Sequence, residues 1–308
     1  MLIELTPLLG LLVCVVVFAV LSGGRTLAPN NLNNIIKQFV VTCLVAIGAV
    51  FAFAAGALDM SLSGAMCLSA VSGALAGQAT GSAVVMVAVT AAVSMLIAAV
   101  KGLVAAYLKL PVFIVTIVLS SVLTAIALAI MGQQTTISIR SLVNPASSQM
   151  TVINIVFIAI FYLIALLIFN YTSLGKSAKL QGGNPLASGQ SGIDSTKVMI
   201  RSFLMGGIGV ALGSIISMLS TKTVTAGTGG AVGTNIMVAL VLGGMPLSGG
   251  PRSRISASII GAATITILNN GLTVMGFSNG VIQIIRGVIF LIVVYITSAT
   301  YRTNLLPR

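Results

Sequence analysis

Catalysis and ion handling need titratable or metal-ligating side chains, and this sequence offers few. Its 308 residues include no His, three Asp and Glu together, and three Cys. Without His there is no His-based triad, His metal site or His proton relay. Cys14, Cys43 and Cys67 each sit singly in an apolar run. They read as small buried hydrophobes, not as metal ligands or a disulfide framework. The acids are Glu4 near the start, Asp194 in a polar stretch, and Asp59, which alone lies close to membrane-depth sequence. Gly175-Lys176-Ser177 has the form of the end of a phosphate-binding loop. The glycine required five residues earlier is Asn170, and no strand precedes it, so the motif fails. No catalytic residue, metal site or cofactor is expected, and the chain is not expected to hydrolyse ATP by itself.

The elements that carry these residues are set by composition. The chain is 57% apolar and only 6% charged, with a mean hydropathy of +1.17. A soluble domain is about 25% charged, so most of this surface must face lipid. The net charge is +12, from 15 basic residues against 3 acidic ones. These charges are too sparse for a nucleic-acid patch. The opening MLIELTPLLG carries Glu4 where a secretory signal needs positive charge, and it reads as a retained membrane helix.

Apolar runs at 6–22, 82–100, 111–131, 151–170, 199–219 and 281–299 have the length of bilayer spans. Shorter or glycine-broken runs lie at 39–57, 62–77, 231–247 and 255–272. About ten transmembrane helices are expected, forming an all-α polytopic membrane protein with one domain over 1–308. The longest polar stretch is 171–198. Lys and Arg are retained on the cytoplasmic side. With 171–198 inside, the inside receives Lys101, Lys109, Lys176, Lys179, Lys197, Arg201, Arg252, Arg254, Arg302 and Arg308. The outside receives Arg25, Lys37, Arg140 and Lys222, and Arg286 falls within the last helix. Both termini are then cytoplasmic.

The 33 glycines, with GxxxG at Gly73–Gly77 and Gly209–Gly213, suit a closely packed bundle. Two helix pairs are broken, one by Gly56–Gly64 (GALDMSLSG) and the other by Thr225–Asn235 (TAGTGGAVGTN). In this ten-helix topology, the helices before these breaks run in opposite directions. Paired broken segments in inverted halves mark a transport path. A proton-coupled carrier would rest on Asp59 alone, and a channel could use the carbonyls of Thr225 to Gly229. A self-sufficient carrier or channel is therefore one reading of the chain, the alternative to a pore energised by a partner.

The segment Leu174-Gly175-Lys176, Gly182-Gly183-Asn184-Pro185-Leu186-Ala187, Ser191-Gly192-Ile193 resembles the coupling loop of sugar-type ABC importer permeases. That is the ribose and branched-chain amino acid permease superfamily. Gly56 to Gly64 is similar to the family's Gly-Gly-Ile-Asp-Leu-Ser-Val-Gly, and Pro111 to Thr116 to its Pro-x-Phe-Ile-x-Thr. Thr225 to Gly229, Val241 to Gly244, Leu247 to Gly250 and Leu268 to Leu272 match further segments in order, so the likeness covers roughly 35–300. Two departures stand out. Gly230-Ala231-Val232-Gly233 replaces an aromatic and acidic Tyr-Glu-Leu-Asp, and Thr124 stands where Arg is common.

The resemblance implies a permease in the plasma (inner) membrane that pairs with a second permease subunit as a homodimer or heterodimer. Two cytoplasmic ABC ATPases would dock on its coupling loop through Leu174, Gly175, Lys176, Gly182, Gly183, Asn184, Gly192 and Ile193. An extracytoplasmic solute-binding protein would deliver a sugar or related polar solute. A neutral solute rich in hydroxyls needs hydrogen-bonding groups near the breaks, and Asp59, Ser61, Thr225, Gly227 and Asn235 are the pathway candidates. For Asp59, a helix-capping carboxylate is an equal reading.

Overall fold

The computed structural model describes residues 2–107, 111–143 and 147–302. Lys109 and Arg308, which contribute to the expected orientation, lie outside them. Twelve helices are described: α1 (Leu2–Leu21), α2 (Pro29–Ala54), α3 (Leu62–Thr80), α4 (Ala83–Tyr107), α5 (Val112–Met131), α6 (Ser147–Tyr171), α7 (Ser173–Gly183), α8 (Pro185–Gln190), α9 (Ser195–Thr221), α10 (Val232–Leu242), α11 (Ser256–Val274) and α12 (Asn279–Arg302). Two three-residue strands, β1 (Thr136–Ser138) and β2 (Thr223–Thr225), pair antiparallel with Ile137 opposite Val224. Among the described residues there is no other sheet, as expected for a chain that must satisfy its backbone within lipid.

Ten of these helices correspond to the ten apolar runs, and α7 and α8 fold the polar 171–198 stretch. Seven of the ten (α2 to α6, α9 and α11) are long and apolar enough to cross a membrane. The apolar parts of α1, α10 and α12 are shorter. The boundaries move most at α2, which starts ten residues before the apolar run begins. The polar PNNLNNIIKQ therefore forms its first turns, with Pro29 pre-set for the first helical position. Lys37 is thus an exposed helical residue, not a loop residue.

Helices α2 and α9, packed closely along each other, form the centre. A Cβ on Gly48 would lie 2.5 Å from the Met205 carbonyl oxygen and 3.1 Å from Gly209 Cα. A Cβ on Gly213 would meet Val45 and Val41 instead. Contacts that rise along α9 as they fall along α2 mean that the two helices are antiparallel. Small residues allow this approach, because in lipid close backbone packing holds helices together.

Packings around this pair repeat. α3–α4 and α10–α11 are hairpins; α4 packs on α9 as α11 packs on α2; α3 meets α9 as α10 meets α2; α5 meets α3 as α12 meets α10. Exchanging α2–α5 with α9–α12 maps each of these packings onto another. With the central pair antiparallel, this is an inverted repeat. Both GxxxG motifs are spent inside the chain: Gly73 and Gly77 against Thr90 and Met86, Gly209 and Gly213 against α2.

Candidate functional site

The two breaks meet. The chain leaves α2 at Ala54 and re-enters helix at Leu62; it leaves α9 at Thr221 and re-enters at Val232. The starts of α3 and α10 come together, where Ser63 Oγ accepts a 2.8 Å hydrogen bond from the Gly233 N–H. A Cβ on Gly233 would sit 2.8 Å from the Met60 carbonyl oxygen, and one on Gly229 would sit 2.9 Å from Met66 Cβ. Gly233, which stands where the family has an acid, thus lets the second break close onto the first, together with Gly229. Cys67 faces the same junction, with Sγ 3.5 Å from the Ala226 carbonyl.

Asp59 holds the first break in place. One carboxylate oxygen accepts from Ser61 N–H at 2.8 Å and Ser61 Oγ at 2.6 Å, and the other lies 2.7 Å from Lys101 Nζ. The pair is enclosed: 5% of the Asp59 side chain and 1% of the Lys101 side chain are exposed. The Phe203 ring of α9 lies 5.5 Å from the ammonium. Thr116 Oγ1 receives the Met60 N–H at 3.1 Å and donates to the Leu58 carbonyl at 3.2 Å, fastening the segment to α5 as well. The carboxylate therefore serves a buried ion pair that ties the break to α4. Lys101 corrects the loop assignment made from hydropathy. Helix α4 continues to Tyr107, and Lys101 points inward to Asp59 instead of into an aqueous loop.

Asn235 and Thr225 take different positions. Thr225 lies in β2, where its N–H donates to Thr228 Oγ1 at 3.0 Å, and exposed Gly227 follows in the turn. Asn235, on the first turn of α10, accepts from Arg286 of α12 and, at 3.4 Å, from Asn269 Nδ2 of α11. Thr124 donates to the Ser120 carbonyl within α5.

The polar 171–198 stretch forms a docked elbow. Asn184 ends α7 and caps α8, its Oδ1 accepting from the N–H groups of Leu186 and Ala187, both at 3.1 Å. Asp194 caps α9 through the Lys197 N–H at 3.1 Å. That hydrogen bond, helped by the Lys197 ammonium, holds its carboxyl below the ordinary aspartate range. The elbow seats on the bundle through glycine. A Cβ on Gly182 would stand 2.0 Å from the Ala54 carbonyl oxygen and 2.7 Å from Gly250 N, and one on Gly183 2.8 Å from Pro251 Cδ. Gly250 N–H itself donates to the Ala54 carbonyl at 2.9 Å. Gly175 is pressed against the Phe169 carbonyl. Lys179 stands over the Phe169 ring at 4.2 Å, and partial burial lowers its pKa. Phe169 in turn packs edge-on to Phe51 at 5.2 Å. Leu174 and Ile193 pack on the core, whereas Lys176 and Gly192 are exposed and Leu186 is 82% exposed.

The elbow thus touches α2 at the residue where the first break begins. Lys176, Lys179, Lys197, Arg201, Arg252 and Arg254 gather at this end of the bundle. Arg25, Lys37, Arg140 and Lys222 gather at the other, where β1 and β2 pair.

An all-helical, polytopic membrane fold with two glycine-broken halves and a capped polar elbow defines the class: a membrane transport subunit. Residues 31–294 match the family described as branched-chain amino acid transport system / permease component, and the chain belongs to that family. It is 31% identical to the ribose import permease protein RbsC of Escherichia coli (strain K12), over 96% of this chain and 94% of that protein. It is 30% identical to the ribose import permease protein of Bacillus subtilis (strain 168), over 94% and 91%. It is 26% identical to the fructose import permease protein FrcC of Rhizobium meliloti, over 94% and 84%. No solved structure matches the chain.

Proposed function

We propose that this chain is the membrane-spanning subunit of an ATP-driven importer for a sugar, working in the plasma (inner) membrane with both termini cytoplasmic. Two cytoplasmic ATPases dock on α7–α8, an extracytoplasmic binding protein delivers solute at the opposite face, and a second permease subunit completes the pore. The basic end of the bundle is then the cytoplasmic end.

The observation that carries this reading is the contact of Gly182 and Gly183 with Ala54, Gly250 and Pro251. A push on α8 has no soft side chains to absorb it there. It passes from backbone to backbone into the end of α2 and the α10–α11 turn. Because α2 leads into the first break, and that break touches the second at Ser63–Gly233, movement of the elbow reaches both halves. Rigid-body rocking of the halves would alternate access to the path between them. Exposed Leu186, at the tip of the elbow, is the apolar anchor offered to the ATPase.

Purification in mild detergent tests the docking. An ATPase should co-purify with the chain, and a photo-crosslinker placed at 186 should capture it. A clean complex whose crosslinks from 186 reach only lipid or this chain itself would refute the docking site.

A further inference from the structure

A buried arginine with no acid beside it among the described residues stands near the junction of the two halves. Arg286 is 8% exposed and sits seven residues into α12. Its one hydrogen bond among the described residues goes to Asn235 Oδ1. An ionised side chain inside a membrane segment is costly and is ordinarily paired. Neither acid with a described side chain serves here. Asp59 is held by Lys101, and Asp194 is held by Lys197 beyond the membrane segments.

The amides around Arg286 have one orientation. Asn235 Oδ1 is the acceptor for the guanidinium, so Asn269 must reach it with its donor, Nδ2. That turns Asn269 Oδ1 the other way, where it is buried with no hydrogen-bond partner. The cluster therefore holds guanidinium N–H groups in surplus beside one unsatisfied acceptor. An anion could use the donors, but it would leave the Asn269 acceptor bare and face it with like charge. A hydroxyl group satisfies both, accepting from Arg286 and donating to Asn269.

We infer that Arg286, Asn269 and Asn235 form a contact site for the hydroxyl groups of a neutral sugar on its way through the permease. This inference rests on the proposed importer function. It adds a specificity-determining site on α10–α12, distinct from the Asp59–Lys101 pair.

The test uses the complete importer in liposomes, with uptake of labelled D-ribose, D-fructose, D-galactose, D-glucuronate and L-leucine. Wild type should take up at least one neutral sugar in preference to glucuronate and leucine. Arg286→Gln should lower that uptake at least tenfold at matched protein amounts. Asn269→Asp is the deciding variant. It supplies the missing carboxylate, so its melting temperature should equal or exceed wild type, yet by occupying the guanidinium it should also lower uptake at least tenfold. If the cluster merely holds a trapped water or buries a charge, Asn269→Asp keeps wild-type uptake, and the inference falls. Preference for glucuronate or leucine overturns the hydroxyl site while leaving the importer reading standing. ATP-driven uptake of none of the five overturns both.

Discussion

Breaking the Asp59–Lys101 pair one partner at a time should separate a buried ion pair from an incidental contact. Asp59→Asn keeps an oxygen that can still accept from Ser61 N–H and Oγ, but removes the charge 2.7 Å from the ammonium. Lys101 is then left almost wholly enclosed, with the Phe203 ring beside it. Removing one partner of a buried pair costs about 3–5 kcal/mol, whereas replacing both by uncharged groups of similar volume is often close to neutral. At about 1.5 °C per kcal/mol for a chain of this length, Asp59→Asn should lower the melting temperature by about 5–8 °C. Lys101→Met should cost somewhat less, since the carboxylate keeps its two Ser61 donors. The double variant should recover most of the loss. Thermal unfolding of the four proteins in one detergent closes the cycle. Additive effects, with the double variant as damaged as the two singles summed, would show that the ion pair contributes no coupling. They would refute its role in fixing the break.

Other perturbations test the elbow and its caps. Gly182→Val must displace the Ala54 carbonyl and the Gly250 amide, both backbone. It should abolish uptake while the protein still inserts in the membrane, as judged by transport and by membrane abundance. Asn184→Ala removes the acceptor for two N–H groups and should cost about 0.5–2 kcal/mol of local helix stability, seen as faster amide hydrogen exchange in α8 with α3 and α9 unaffected. The Asp194 carboxyl is held below its usual range when folded, so its cap is intact above that range and is lost as pH falls through the lowered value. Amide exchange at the start of α9 should rise on acidification below the usual aspartate range, and Asp194→Asn should remove that dependence.

Much of this architecture is legible in the residues themselves. Long apolar runs reveal helices because nothing else satisfies a backbone in lipid, and the uneven spread of Lys and Arg groups the loops by side. Asn184, just before Pro185, and Asp194, just before Ser195, are side-chain types that favour the position ahead of a helix. Lys101 shows where such reading stops. Hydropathy ends the helix at residue 100 because Lys is polar, yet a lysine with a carboxylate to reach can stay inside. The clue was an acid in the first break and a cation with no obvious loop, but the pairing spans 42 positions and only the fold brings it about. The partners of Asn235 are hidden for the same reason: Arg286 and Asn269 come from two other helices. The meeting of the breaks depends on Gly233, whose meaning lies in the missing Cβ, and a sequence shows that only as a departure from a pattern.

Transport through this chain is proposed to draw its energy from partner ATPases. Solute flux into liposomes tests it most directly, with the chain alone compared to the chain assembled with its ATPase and sugar-loaded binding protein. The assembled complex should accumulate sugar only when ATP is supplied, and the chain alone should pass none. Saturable sugar flux through the chain alone, without ATP or binding protein, would contradict the claim and make it a self-sufficient carrier or channel.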